Sequence, residues 1–574
     1  KCSSIEDAEK MKEEITIQLR KKKKRRSIVI AVVCVIVTAA ASAAVLGYQW
    51  YKGKADAGTS GQETTATVDM DVGKTILTSD QEETLEDIKE IYNEENQAEI
   101  QQDIEEEKAS GTYTEDNMLI KYNPYGTNTQ SLYVYFTTDE AAAVSYTVHV
   151  DEEGIDDFTA DAYQGKEYQT EHEFQVLGLI PDTENTITFT IQTQDGQTTE
   201  KTINYTMGSL LGSEDTTIDM TEGTSSQQLA DGLYVVMGND SESLDFMYYY
   251  DNNGVLRGEV PIIGYRSHRL LFDDDGMYYS ISQTKIARVN RLGQVTKVYD
   301  TGDYNLHHDY VFDDEGNILT LATDTDSESV EDRIIRIDKD SGEVTEVLDM
   351  ADLLGDYKKT CEEASDGDLD WMHINTIQWL GDGQIIISSR ETSTIMKIDH
   401  LYDNPSIECM IGSEDFWDGT GYESLLLTQD GDFTLQGGQH SVTYVEDDSL
   451  EDGQYYFYMY NNNIGYSESQ PDFSWSSIGL TNDTGKGGDN SYYYRYLVDE
   501  NKGTFELTDS FAVPYSGYVS SAQDIGENTV MDSGTSGIFG EYDSSHKLIR
   551  SFSIDVEKFI YRVYKYDFNG FYFS

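Results

Sequence analysis

Beyond about residue 113, hydrophobic and polar residues alternate with a period of two, which is typical of β-strands. Within residues 113–208 the alternation is clearest in three runs of β-branched and aromatic residues, 132–136, 144–148 and 187–191. Short strands of this kind, separated by turn residues, predict a small β-sandwich in this region.

Beyond about residue 230 the strand pattern recurs in two repeats, which alternate along the chain. The first is a hydrophobic strand that ends in Asp or Asn, usually with Gly three to four residues later. Its six copies end at Asp251, Asn290, Asp338, Asp399, Asp499 and Asp543. The second repeat is a strand, an Asp/Gly turn and another strand. Sheets repeated in this way predict a six-bladed β-propeller over residues 209–574, with an insertion that includes residues 461–490.

An uncharged apolar run at residues 27–47 is long enough to cross a bilayer as a helix. Basic residues end the segment 1–26 before it, and the aromatic residues Tyr48 and Trp50 follow it. This arrangement predicts a transmembrane signal-anchor at 27–50, a cytoplasmic segment 1–26 and an extracellular remainder in a single-pass membrane protein. A cleaved signal peptide is the alternative, because small residues also occur near the end of the run.

Residues 51–112 read as a Gly/Thr/Ser/Asp-rich tether followed by an acidic helix. Ser79 and Glu82 form a potential capping box, and Ile88, Tyr92 and later Ile residues recur at helical spacing. We expect this helix to be a solvated stalk.

Composition narrows the possible partners of the chain. The chain has 574 residues, with 40 Lys and Arg against 107 Asp and Glu, and its formal charge of −67 excludes nucleic-acid binding. The four cysteines are too scattered for a disulfide framework or a CxxC metal site. Whether Cys361 and Cys409 pair is left open.

The chain has nine histidines, and four positions recur just before, or at the start of, a predicted inner strand. They are His268, His307–His308, His373 and His440. Inner strands of a propeller line its central channel, so residues at equivalent strand starts converge on one end of the channel. Neighbouring side chains of a strand point to opposite faces, and alignment of the repeats favours His308 over His307 as the channel residue.

Arg390 ends a buried aliphatic strand in the same repeat as His373, and we expect it at the channel mouth. Several imidazoles beside a guanidinium suit either a metal site or the transfer of an anionic group. Metal-binding spacings such as HExxH are absent from the sequence, which weakens the metal alternative.

At these residues the sequence resembles the bacterial arylsulfate sulfotransferases that do not use the nucleotide sulfate donor. The resemblance runs from about residue 113 to the C-terminus. The motifs that carry it are His307-His308-Asp309, Met372-His373-Ile374-Asn375, Ser388-Ser389-Arg390, Gly438-Gln439-His440 and Gly534-Thr535-Ser536-Gly537.

The resemblance implies ping-pong transfer of a sulfuryl group from a phenolic sulfate donor to a phenolic acceptor, without cofactor or metal. His440 matches the sulfurylated histidine, while His373, Arg390 and His308 match residues that bind the sulfuryl oxygens and assist proton transfer. Because His440 must be neutral to attack, activity is expected to fall below an imidazole pKa of about 6.5. The alternative is a non-catalytic cell-surface propeller for adhesion or glycan binding.

Overall fold

The computed structural model describes residues 81–238, 244–364, 367–556 and 558–574, with side chains from residue 85 onward. β-strands make up most of the regular secondary structure in the described chain. No described helix has the length and apolar character needed to span a bilayer. The predicted signal-anchor at 27–50, the segment 1–26 and the tether lie outside the described residues.

Two helices precede the β-structure, α1 (Gln81–Ile91) and α2 (Glu94–Ser110). They are separated at Asn93, whose side-chain oxygen accepts hydrogen bonds from the first backbone N–H groups of α2. The structure differs from the expected solvated stalk, because Ile88 is fully buried and Tyr92 donates a hydrogen bond to the Pro261 carbonyl. The apolar stripe that predicts the helix therefore packs mainly against the first two of the six sheets that follow the N-terminal β-domain.

The N-terminal β-domain is built around one long strand. Its strands are β1 (Leu119–Tyr122), β2 (Ser131–His149), β3 (Phe158–Asp161), β4 (Gln169–Leu177), β5 (Glu184–Thr193) and β6 (Thr198–Thr206). The first half of β2 pairs with β1 and β4, and its second half pairs with β3 and β5. The two predicted strands 132–136 and 144–148 are thus one strand, which contributes to both layers around a shared core.

Six further sheets follow, each with four or five strands. The first contains β8 (Leu233–Val236), β9 (Asp245–Tyr250), β10 (Leu256–Ile262) and β32 (Val563–Tyr566). The second contains β11 (Leu271–Phe272), β12 (Gly276–Ser282), β13 (Lys285–Asn290) and β14 (Val295–Asp300). The third contains β15 (Tyr304–Phe312), β16 (Ile318–Asp324), β17 (Arg333–Ile337) and β18 (Val344–Asp349).

The fourth sheet follows the helix α3 (Met350–Lys358) and contains β19 (Ile374–Gly381), β20 (Gln384–Ser389), β21 (Thr394–Asp399) and β22 (Ser406–Ile411). After the short helix α4 (Glu414–Trp417), the fifth contains β23 (Thr428–Asp430), β24 (His440–Val445), β25 (Gln454–Asn461), β26 (Ser491–Asp499) and β27 (Thr504–Val513). The sixth contains β7 (Asp219–Glu222), β28 (Ser521–Ile525), β29 (Asn528–Ser533), β30 (Ile538–Tyr542) and β31 (Leu548–Ser553).

The six Asp or Asn repeats fall at or directly after the end of one strand in each sheet, namely β9, β13, β17, β21, β26 and β30. In every copy the side-chain oxygen accepts a hydrogen bond from a backbone N–H of the turn that follows. These residues are favoured because their short side chains can satisfy turn amides. The repeat in the sequence therefore marks an equivalent turn in all six sheets.

Contacts between neighbouring sheets order them as in a propeller. The strands β15, β19, β24, β28 and β32 contact one another in succession. The C-terminal strand β32 belongs to the first sheet and the early strand β7 to the sixth. Phe539 and Phe552 of the sixth sheet pack on Tyr234 of the first, so a hydrophobic cluster links the two ends of the series.

The predicted insertion lies between β25 and β26 in the fifth sheet. It contains a short 3-10 helix, Trp475–Ile478, and Trp475 packs against Phe416 and Phe473. Cys361 and Cys409 are both unpaired, so the disulfide left open by the sequence is not formed.

Candidate active site

The predicted histidines lie where the inner strands of successive sheets begin or bulge. His308 lies in β15 at a break in strand register, His373 directly precedes β19, and His440 begins β24. The backbone is left-handed at His308 (φ +55°), at His373 (φ +46°) and at Ser441 beside His440 (φ +57°). Such conformations cost about 1–3 kcal/mol each and cluster at functional sites, where surrounding contacts hold them.

The three imidazoles of His308, His373 and His440 lie together. The ring centroid of His308 is 4.8 Å from that of His373 and 6.3 Å from that of His440. His307 is also buried, with its ring 5.2 Å from His308, but neither of its ring nitrogens has a hydrogen-bond partner within the described chain. Of His307 and His308, it is thus His308 whose ring lies close to the rings of both His373 and His440.

His373 is held at one ring nitrogen by two carboxylates. Its Nδ1 is 2.6 Å from Oδ2 of Asp370 and 2.9 Å from Oε2 of Glu331. Burial opposes a charge on the ring, but Asp370 and Glu331 outweigh burial and raise the pKa of His373 to about 10. His373 is therefore an imidazolium at neutral pH, and its Nε2–H is not bonded to any described residue.

His440 is held in the opposite protonation state. Its Nδ1 is 2.8 Å from Oδ1 of Asn462 and 2.9 Å from the carbonyl oxygen of Gly438. Both oxygens accept hydrogen bonds, so Nδ1 carries the proton and Nε2 keeps its lone pair. Burial, assisted by the positive charges of His373 and Arg390, lowers the pKa of His440 to about 3. No described residue forms a hydrogen bond to Nε2 of His440.

His308 supports the carboxylate that holds His373. Its Nε2 is 3.0 Å from Oε2 of Glu331, and its Nδ1 is 3.1 Å from the hydroxyl of Tyr561. Burial lowers the pKa of His308 well below its usual value, so the ring is neutral. The Glu331 carboxylate must then accept from Nε2–H. The Tyr561 hydroxyl, whose oxygen lies beside Nδ1, donates its single proton to the carbonyl oxygen of His308 at 2.8 Å. Nε2 thus has a protein partner, and Nδ1 is covered by the Tyr561 hydroxyl.

Arg390 follows β20 and is tied to the His373 backbone, whose carbonyl accepts a hydrogen bond from the Arg390 N–H. One end of its guanidinium donates to Oε1 of the buried Glu391 at 3.0 Å. Its remaining N–H groups form no hydrogen bond with described residues, and its side chain is 17% exposed. Arg390 can therefore present donors to an anion beside His373.

A buried charged cluster lies behind these residues and contains Asp309, Arg269 and Arg562. Arg562 donates to Asp309, to the carbonyl oxygen of Asn375 at 2.9 Å and to that of His268 at 3.4 Å. Arg269 donates to both carboxylate oxygens of Asp309. Because one buried carboxylate is shared by two guanidinium groups, this cluster adds positive potential in a chain that is otherwise strongly acidic.

Four of the contact residues are absent from the sequence-based prediction: Glu331, Asp370, Asn462 and Tyr561. Asp370 lies three residues before His373, a spacing that allows local contact, and a carboxylate there is a signal the sequence does offer. The others come from distant loops with no shared motif. His268, the remaining repeat histidine, lies among Tyr265, Tyr310 and Tyr561 rather than against His373 or His440.

Two sets of side chains could bring ligand atoms close enough for a metal ion, and both include Glu331. One contains His307 and His308, and the other contains Asp370 and His373. In both sets the Glu331 carboxylate is already hydrogen-bonded to imidazole. Burial alone would raise the pKa of Glu331, but the neighbouring histidines outweigh burial and hold this pKa well below its usual value. The contacts of Glu331 are thus satisfied by protons on His373 and His308, whereas the ring nitrogens of His307 have no partner among the described residues.

A separate cavity of about 600 Å³ lies between the third and fourth sheets. Asp314, Trp379 and Tyr402 are among its lining residues, which include none of the site residues described above. It is therefore a different surface from the histidine cluster.

Comparisons with solved structures find low-identity matches. The WD40 domain of coronin from Toxoplasma gondii is 8% identical to this chain and has a TM-score of 0.31. The match covers 59% of this chain and 76% of the coronin chain. BamB from Moraxella catarrhalis is 11% identical, covers 59% of this chain and 92% of its own, and has a TM-score of 0.27. No curated protein matches the chain.

Family models match two successive parts of the chain. The arylsulfotransferase Ig-like domain matches residues 119–208, which is the N-terminal β-domain. The arylsulfotransferase (ASST) model matches residues 219–565, which comprise the six sheets and all the site residues. Because this second match covers more than half of the sequence, the chain belongs to the arylsulfotransferase (ASST) family.

Proposed function

We propose that the protein transfers a sulfuryl group from a phenolic sulfate ester to a phenolic acceptor through a sulfurylated His440. Membership of the ASST family supports aryl sulfotransferase activity in general. The observation that carries the finer proposal is the pairing of His440 with His373. Each ring is anchored at Nδ1, and its Nε2 has no hydrogen bond to the residues that the structure describes, but His440 offers a lone pair there and His373 offers a proton.

In the first half-reaction, Nε2 of His440 attacks the sulfur of the donor ester in line with the aryl oxygen. The N–S bond forms as the S–O(aryl) bond breaks, and the electron pair of that bond leaves on the phenolate oxygen. The imidazolium His373 gives its Nε2 proton to this oxygen, which releases a neutral phenol. Charge on the equatorial sulfuryl oxygens is stabilised by the N–H groups of Arg390.

The pKa of His373 suits this proton transfer. A phenol of the tyrosine type has a pKa of about 10, and the two carboxylates raise the pKa of His373 to about 10. A general acid must be protonated at the working pH and acidic enough to protonate the leaving oxygen. His373 meets both conditions for a phenolate leaving group.

In the second half-reaction, a phenolic acceptor takes the place of the first product. Neutral His373 removes the acceptor's proton, the phenolate oxygen attacks sulfur, and the bond from sulfur to Nε2 of His440 breaks. His440 and His373 thereby return to their original protonation states. His308 has no free ring nitrogen for the sulfuryl group, so we assign it to supporting Glu331.

Release of p-nitrophenol from p-nitrophenyl sulfate in the presence of phenol tests the proposal. We expect His440→Ala to abolish release and the phenol-dependent formation of phenyl sulfate, because the attacking atom is removed. Mass spectrometry of wild-type protein mixed with donor alone should find one sulfuryl group on His440. His546→Ala, at a part-exposed histidine paired with Asp509, is the matched control and should keep full activity.

Equal rates for His440→Ala and wild type would overturn the proposed route. Absence of release by the wild-type protein would favour the alternative of an adhesion or glycan-binding propeller.

We further propose that the protein is anchored in the cell membrane by residues 27–50, with its catalytic domain outside the cell. The basic segment before the apolar run and the acidic chain beyond it support this orientation. Protease treatment of intact cells should remove the catalytic domain while leaving the N-terminal segment with the membrane fraction. Protection of the catalytic domain in intact cells would contradict this orientation.

A further inference from the structure

Asn462 makes a fully buried set of hydrogen bonds at the back of His440. Its Oδ1 lies 2.8 Å from Nδ1 of His440. Its Nδ2 donates to the carbonyl oxygen of Ser516 at 2.8 Å and to that of Val519 at 3.1 Å. The side chain therefore uses its acceptor and both of its donors within the protein.

These contacts leave only one orientation for the Asn462 amide. If the amide were rotated by half a turn, Oδ1 would face the carbonyl oxygens of Ser516 and Val519, which can only accept hydrogen bonds. With Nδ2 facing those carbonyls, Oδ1 must face His440 and can only accept from it. The carbonyl of Gly438, at 2.9 Å from the same Nδ1, imposes the same requirement.

The backbone around Asn462 is fixed as well. Asn462 directly follows β25, in which Tyr460 pairs with His440 across the sheet. At the other end of the insertion, the hydroxyl of Ser491 donates to the Asn462 carbonyl oxygen. Both ends of the 461–490 insertion thus meet at the residue that contacts the His440 ring.

We infer that Asn462 is a positioning residue that holds His440 in the tautomer protonated at Nδ1 and thereby keeps Nε2 available for attack. This inference rests on the proposed function for its effect on catalysis. The tautomer itself is a property of the resting protein and can be measured without turnover. A histidine in the other tautomer would direct an N–H group at the sulfur and could not act as a nucleophile there.

Two variants test the inference in the full-length protein. Asn462→Asp keeps an oxygen beside Nδ1 and, when ionised, adds a negative charge that favours the imidazolium form. Its second oxygen faces the carbonyls of Ser516 and Val519, which oppose the ionisation. We expect it to raise the pKa of His440 by about one to three units and to move the acidic limb of the kcat profile upward by the same amount. Asn462→Ala leaves only the Gly438 carbonyl as acceptor, and we expect kcat to fall about 10- to 100-fold with little change in KM.

Selective ¹⁵N labelling of histidine gives a readout that a merely structural role would not move. The His440 signals, identified by their loss in His440→Ala, should show a neutral ring protonated at Nδ1 in the wild type. In Asn462→Asp they should titrate at higher pH than in the wild type. Asn528→Ala removes another buried Asn whose amide donates two hydrogen bonds, to the Gln228 carbonyl and to Glu541, and serves as the matched control for lost stability.

Three outcomes would overturn the inference: a wild-type ring protonated at Nε2, unchanged His440 titration in a folded Asn462→Asp whose new carboxyl group is ionised, or a kcat for Asn462→Ala no lower than that of Asn528→Ala. If Asn462→Asp does not fold, the wild-type tautomer and Asn462→Ala still decide the matter. Failure of the proposed function is separate. In that case the titration shifts in Asn462→Asp while the wild type forms no sulfurylated His440.

Discussion

Two identical side chains acquire opposite roles because different atoms face their Nδ1 positions. Carboxylates face Nδ1 of His373, and neutral oxygens of Asn462 and Gly438 face Nδ1 of His440. A carboxylate stabilises the charged ring, whereas a neutral acceptor only fixes where the single proton of a neutral ring lies. The protonation state of each imidazole is thus decided at Nδ1, two bonds away from the Nε2 atom that we propose reacts.

The pH dependence of activity follows from these two protonation states. In the proposed route, attack requires neutral His440, which is the form above its pKa of about 3, and phenolate protonation requires charged His373, which is the form below its pKa of about 10. We therefore expect kcat/KM to be level through pH 5–8, rather than to fall below an ordinary imidazole pKa of about 6.5 as the unperturbed ring predicts. With phenyl sulfate as donor, whose phenolate is a poor leaving group, kcat/KM should fall as the pH rises through about 10.

The variant Asp370→Asn tests the proposed acid, His373, independently of the proposed nucleophile, His440. Loss of this carboxylate lowers the pKa of His373, so the alkaline limb with phenyl sulfate should move down by about one unit or more. Rates with p-nitrophenyl sulfate, whose leaving group needs little protonation, should change less. Asp356→Asn, at an exposed pair with Lys359, is the control and should leave the profile unchanged. An alkaline limb that stays in place in Asp370→Asn would exclude His373 as the acid.

At the scale of strands and loops, the sequence predicts those features that depend on contacts between residues close together along the chain. The Asp and Asn turns are predictable because each side chain satisfies amides within a few residues of itself. Glu331 is not predictable in this way, because it lies in the loop between β16 and β17 and reaches His373 only when the third and fourth sheets pack together. Its own carbonyl accepts the backbone N–H of Ile374, which fixes the approach.

The two helices before the β-structure show the same limit. Their apolar positions indicate helical structure correctly, but an acidic sequence does not reveal whether the apolar stripe has a partner. The structure buries Ile88 and Ile91 in a cluster formed mainly by the first two of the six sheets, and Gln97 accepts a hydrogen bond from the Val295 N–H. The charge on the solvent-exposed face of a helix therefore does not predict whether its apolar face is buried.

The 461–490 insertion is coupled to Arg390 through Glu391. One oxygen of the buried Glu391 accepts the Arg390 guanidinium, and the other accepts hydrogen bonds from Ser467, the Glu468 N–H and Ser469. We expect Glu391→Gln to lower kcat about 10-fold or more and to expose the 467–469 amides to hydrogen exchange. The NH2 group of the new side chain would face N–H and O–H donors where Glu391 offers an accepting oxygen.

Glu468→Gln is the matched control for that variant, since Glu468 is exposed and contributes its backbone rather than its carboxylate. It should retain both activity and amide protection. Faster exchange at 467–469 in Glu391→Gln with an unchanged kcat would show that the insertion does not position Arg390.

At the scale of the whole molecule, the histidine cluster depends on the C-terminal segment of the chain. β32 contributes to the first sheet and is preceded by Tyr561 and Arg562, which contact His308 and Asp309. The segment that returns the chain to the first sheet therefore also supports the histidine cluster.

Arg562 gives the most direct test of this long-range support. Its guanidinium is fully buried and reaches Asp309 of β15, the carbonyl of His268 before β11 and the carbonyl of Asn375 in β19. Arg562→Met keeps much of the volume but leaves these acceptors without a shared donor, which should cost about 3–5 kcal/mol. We expect thermal unfolding to begin several degrees lower than in the wild type. Arg495→Met removes a half-buried guanidinium 3.8 Å from Asp524 and should cost about 1 kcal/mol or less. If both variants unfold at the same temperature, the buried cluster does not hold the inner strands together, and the supporting contacts of β32 are dispensable.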